Sequence, residues 1–138
     1  MFGLGKDGRD LDQVIFDIAE HQRPGDHERL FRLLRGRELY VRVLASSIPS
    51  SGQTHVVGTN DVILVEQARL PNGLRCAAFF VHKSDARLGL HFVAMTSAEA
   101  FRMVERSPDL DALLIQNARQ SWVAFLRAEL PRIREKLS

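Results

Sequence analysis

The sequence predicts an α+β domain: a mixed, mostly antiparallel sheet of about five strands, packed with two N-terminal helices, a crossover helix and a kinked C-terminal helix. Three observations predict it. Apolar residues recur at helical spacing at both ends of the 138-residue chain. Between those ends the period drops to two, the signature of strands. The clusters RPGD (23–26), LPNG (70–73) and SPDLD (107–111) break these runs at the points where turns are needed.

The N-terminal residues 1–9 hold three glycines and read as a loose lead-in. Asp10 then stands at an N-cap position before Leu11, Val14, Ile15 and Ile18, giving a helix over about 10–22. RPGD ends it, Asp26 caps a second helix with Leu30, Phe31, Leu33 and Leu34 on its apolar face, and Gly36 stops that helix. From Glu38, Leu39, Val41 and Val43 alternate with Tyr40, Arg42 and Leu44, as in a strand with one buried face. The polar stretch 45–60 carries Pro49, Gly52 and Gly58 and is long for a plain connection, which marks it as mobile or functional. VILVEQA (62–68) reads as a buried strand, LPNG as a type I turn, and LRCAAFFVH (74–82) as the next strand. KSDAR (83–87) then turns the chain into LGLHFVAM (88–95), completing an antiparallel meander. Thr96-Ser97-Ala98-Glu99 fits a capping box, so a helix follows. ALLIQ (112–116) is an inner strand running parallel to 88–95 through a right-handed crossover. Ser121 caps the last helix, whose stripe of Trp122, Leu126, Leu130, Ile133 and Leu137 passes through Pro131 with a kink.

Composition narrows the function classes. One domain is expected, with 45% apolar and 26% charged residues, as in an ordinary soluble globule. Nineteen basic against 17 acidic side chains leave a formal charge of only +2, which does not call for nucleic acid. The single cysteine, Cys76, forms no internal disulfide and no cysteine zinc framework, and fits a reducing compartment. No signal-type apolar stretch opens the chain, and no run reaches the roughly 18 apolar residues of a membrane span. A cytoplasmic location and no membrane partner are expected.

Three blocks carry a family resemblance: FRLLRGRELYVRVL (31–44), FVAMTSAEAFRMV (92–104) and LDALLIQNARQSWVAFLRAEL (110–130). Together they resemble the N-terminal domain of the SseB family, bacterial proteins named for enhanced serine sensitivity, across roughly residues 11–130. In that family a strand of type L-Y-V-P-V follows a helix, a later strand ends in F-T-S before an acidic helix, and an apolar strand ends in N-P-G. Here Met95 replaces the phenylalanine, Arg42 stands where proline is usual, and Gln116-Asn117-Ala118 keeps the asparagine but loses Pro-Gly. The resemblance implies a single SseB-like domain over 1–138, cytosolic, with no established catalytic residues.

Chemical candidates follow from residue type and placement. The five histidines lack metal-ligand spacing, and in a five-residue hairpin His82 would face Leu88 and His91 would face Phe79, on opposite sheet faces. No metal and no cofactor are implied. Cys76 reads as a buried, inert thiol. Thr96 and Ser97 read as a cap rather than a nucleophile, since the glycine-flanked elbow of serine hydrolases is absent. Arg29, Arg32 and Arg35 form a basic helix edge that reads as solvated charge, with weak nucleic-acid binding as the sharper alternative. Beyond the carboxyl ends of parallel strands, Thr96, Ser97, Asn117 and Arg119 make a candidate edge for an anion or small molecule. The C-terminal segment offers a handle in Leu130, Arg132, Ile133, Arg134, Lys136 and Leu137, with 131–138 protruding toward a protein partner or a second copy of the chain. The leading expectation is a noncatalytic adaptor acting through protein contacts.

Overall fold

The computed structural model describes residues 3–43, 55–56 and 65–137, with backbone alone for 3–9 and 55–56. Four helices, α1 (Gly3–Glu20), α2 (Asp26–Leu34), α3 (Ser97–Glu105) and α4 (Leu130–Leu137), accompany the strands. These are β1 (Glu38–Arg42), β2 (His55–Val56), β3 (Gln67–Arg69), β4 (Arg75–Phe80), β5 (Phe92–Thr96), β6 (Ala112–Gln116) and β7 (Trp122–Leu126). The strands form one mixed sheet of order β2-β5-β1-β4-β6-β7, with β3 paired to β4 off that path. Among the described strands, β2–β5 and β4–β6 are the parallel pairs. The α+β architecture is the expected one.

Alternation divides the sheet into two unlike faces. Leu39, Val41, Phe79, Val93, Met95, Leu113, Ile115, Val123 and Phe125 point to the helices and join Leu11, Ile15, Leu30, Leu34, Phe101, Leu130 and Ile133 in the main core. Burial of side chains of this size stabilises by about 1.5–3 kcal/mol each, which makes this layer the dominant stabilising term. On the other face Cys76, Ala112 and Leu114, with Leu70 and Ala78, form a small cluster that contains no helix residue among the described residues.

Four sequence expectations are corrected. The lead-in 1–9 is helical from Gly3; once the amphipathic part nucleates, each added residue gains a hydrogen bond, and no proline stops the growth. Asp26 is the first residue of α2, whose N-cap is Gly25 at φ +87°. The meander holds for β3 and β4 but not for β5: β1 lies between β4 and β5 and bonds to both, pairing Val41 with Phe79 on one side and with Val93 on the other. A strand buried on one face and paired on both edges satisfies all its backbone groups, which a hairpin edge would not. Accordingly β6 runs in the direction of β5 but neighbours β4.

The kinked terminal helix is also replaced. Residues 122–126 are strand β7, Arg127–Glu129 form a 3₁₀ turn, and α4 begins at Leu130 with Pro131 in its first turn. There the missing proline N–H would have had no partner in the helix anyway. Of the expected buried strand 62–68, Val65 bridges Val43 and Gln67–Arg69 is exposed; 62–64 lie outside the described residues. So does most of the 45–60 connection, apart from β2. The LPNG turn is as expected: the Gly73 amide donates to the Leu70 carbonyl at 2.8 Å, and Gly73 takes φ +90°, open to glycine without strain.

Candidate functional site

The carboxyl ends of the parallel pair β4–β6 meet the flank of α1, and three polar side chains close that junction. Asn117, fully buried, donates from Nδ2 to the Asp12 carbonyl at 2.8 Å, while its Oδ1 accepts from the Arg119 and Ser121 amides, each at 2.9 Å. Asp12 accepts the Ala118 amide on Oδ1 and lies 2.8 Å from His82 Nε2 on Oδ2. Arg87 grips Asp85 in a two-pronged ion pair and donates to Gln116 Oε1 at 2.6 Å and to the Asn117 carbonyl at 2.7 Å. Its guanidinium also stacks 5.0 Å from the Phe80 ring. This Arg87 contact holds the Asp85 carboxyl below the usual carboxylate range. A cleft of about 530 Å³ opens above them, lined by Asp12, His82, Ser84, Arg87, Ala118 and Gln120.

The geometry separates the four residues of the expected strand-end edge. Thr96 ends β5 and Ser97 follows it, and β5 is three strand positions from β6, about 14 Å at ordinary strand spacing. Thr96 Oγ1 accepts the Glu99 amide at 3.2 Å, one half of the expected capping box, whereas the Glu99 carboxylate pairs with Arg102. Ser97 Oγ donates to the Leu34 carbonyl at 2.6 Å, fixing α3 to the end of α2. Both hydroxyls are structural. Asn117 and Arg119 stay together, yet Asn117 is enclosed and Arg119 lies over the Phe16 ring at 5.7 Å. The residues that join Asn117 are Asp12 and His82, 70 positions apart in the chain, and nothing local in the sequence relates them.

The expected C-terminal handle is also corrected. Leu130, Ile133 and Leu137 are buried at 0%, 1% and 3% exposure, so α4 is part of the core and does not protrude. Arg134 pairs with Glu105 at 2.6 Å, Lys136 reaches Glu28 at 3.4 Å, and Arg132 faces solvent. On the basic helix edge, Arg29 pairs with Asp17 and Asp26, Arg35 donates to the Lys136 carbonyl, and Arg32 is exposed. Cys76 is buried, and burial pushes its thiol pKa up. No group of three or more metal-ligating side chains occurs among the described residues, and no helix among them is long and apolar enough to cross a membrane.

What sequence reading missed is the edge of the sheet. The Asn117 amide donates to the Ser121 carbonyl and the Arg127 amide to the Asp111 carbonyl, so the odd-numbered residues of β7 bond to β6. The even ones, Trp122, Ala124 and Leu126, therefore turn their N–H and C=O groups outward. Glu129 Oε1 accepts the Leu126 amide at 3.0 Å; the N–H and C=O of Trp122 and Ala124 have no partner among the described residues. Trp122 and Leu126 are 42% and 49% exposed. A groove of about 470 Å³ runs beside this edge, between β7 residues and the end of α1 (Ile18, Ala19, Glu20) with His27. No family model, curated protein or solved structure matches the chain.

Proposed function

We propose that the chain is a noncatalytic, cytoplasmic binding module of SseB type that acts through protein contacts, and that β7 is where those contacts form. The observation that carries this reading is the open edge: an uncharged strand, Trp122–Leu126, with two exposed large apolar side chains and, at Trp122 and Ala124, outward backbone groups without a partner among the described residues. Soluble proteins usually blunt such edges with charge, proline or a covering segment, and an unblunted one is a template for another chain. Among the described residues, no helix side chain joins the small cluster on the outer sheet face beside that edge. The test is capture of one stoichiometric protein by the intact chain and its loss with the double variant Trp122→Ser, Leu126→Ser. Equal capture by that variant would reject the assignment to β7.

A second reading rests on the cleft above His82. It lies beyond the carboxyl ends of two parallel strands, where ligands of open sheets collect. Its charged side chains pair with one another, Asp12 with His82 and Asp85 with Arg87, so a small anion would bind there by competing with a carboxylate for one of these two donors. His82→Gln is the variant that would weaken such binding. Titration of phosphate or acetate followed at the His82 ring resonances checks this; no shift at saturating anion would dismiss it.

A further inference from the structure

We infer that the occupant of the β7 edge is an extended, basic peptide segment of the partner, added as one more strand beside Trp122 and Ala124. The inference rests on the reading of β7 as the contact surface and names the chemistry of what binds there. Two outward N–H and two outward C=O groups, from Trp122 and Ala124, match the ladder of a short added strand. Side chains of such a strand alternate. One set would enter the groove between β7 and α1, walled by Ile18, Ala19 and Val123, and the other would lie beside Trp122 on the outer face.

Charge selects the peptide's type. Among the groove's lining residues Glu20 is the one with a formal charge at neutral pH, and it is exposed. It stands at the carboxyl end of α1, where the helix dipole is negative, while Arg23 and Arg29 pair with Asp17 in the same last turn. A lysine or arginine in the added strand complements both. A second copy of the chain is the poorer occupant. A two-fold interface sets the same patch against itself, so the acidic rim would face its own copy.

The experiment uses the full chain and two N-acetylated octapeptides, one alternating valine with lysine and one alternating valine with glutamate. The expected result is binding of the lysine peptide with at least tenfold slower amide exchange at Trp122 and Ala124, and little binding of the glutamate peptide. Ala124→Pro, which removes an outward N–H and no ladder bond to β6, weakens the lysine peptide at least tenfold. Glu20→Lys, on an exposed helix end, reverses the charge preference. Unchanged exchange at saturating peptide, equal binding by Ala124→Pro, or equal binding of both peptides would overturn the inference. So would a dimer of the free chain with those two amides already protected, which would give the edge to a second copy. If neither peptide binds but a folded partner is captured and lost with the Trp122/Leu126 double variant, strand addition falls and the contact surface stands; if nothing is captured, both fall.

Discussion

The strand-end junction and the β7 edge adjoin within one short hairpin, β6–β7, where Trp122 pairs with Gln116, and they treat polar groups in opposite ways. At the junction Asn117, Asp12 and Arg87 each engage two or more partners, and the backbone of the β6–β7 turn is satisfied by side chains. At the edge, the N–H and C=O of Trp122 and Ala124 face outward without partners among the described residues. A satisfied polar cluster fixes geometry because undoing any member leaves another buried and unpaired. An unsatisfied edge fixes nothing in the free chain and gains from whatever pairs with it. The first region builds the fold; the second is available for binding.

Substitutions can break or sharpen that contrast. The largest effect belongs to α4, whose apolar face is buried in the core: Ile133→Ala should cost about 4 kcal/mol through the cavity it leaves, measured by urea unfolding. A loss below about 1 kcal/mol would return α4 to the role of a handle. Next, Asn117→Ala should cost on the order of 3 kcal/mol, because it strips the turn amides and the Asp12 carbonyl of their partner at once.

Asp85→Asn gives a smaller, pH-dependent loss. The folded-state pKa of Asp85 lies below its ordinary value, so its contribution is complete above about pH 4 and vanishes as pH falls through the lowered value. The gap in unfolding free energy between the parent chain and this variant should therefore narrow as pH falls below about 4; a constant gap would contradict the Arg87 contact as its source. Smallest of all, Trp122→Ser should change stability by only about 0.5 kcal/mol, as exposed positions do, while removing partner capture.

Local chemistry was legible in the sequence and long-range pairing was not. The Thr96 cap and the LPNG turn were readable because the partners lie within three residues of one another. The alternation of Leu39, Val41 and Val43 disclosed a strand, but not that it would sit between β4 and β5, since pairing order leaves no mark on a single strand's period. Trp122 and Leu126 misled for a related reason: a step of four residues returns to the same side of a strand as well as of a helix, and the alternating Val123 and Phe125, both buried, were the discriminating signal. At the candidate site Asn117 was found through its position after an apolar strand. Asp12 and His82, which meet only after α1 docks, carried no such signal.

The central claim is that β7 is an open edge, and amide hydrogen exchange along Trp122–Phe125 in the free chain tests it most directly. Val123 and Phe125 amides, bonded to β6, should be protected, while those of Trp122 and Ala124 exchange at least a hundredfold faster. Equal protection of all four in the free, monomeric chain would mean that the edge is already covered, and the account of β7 as a binding strand would be wrong.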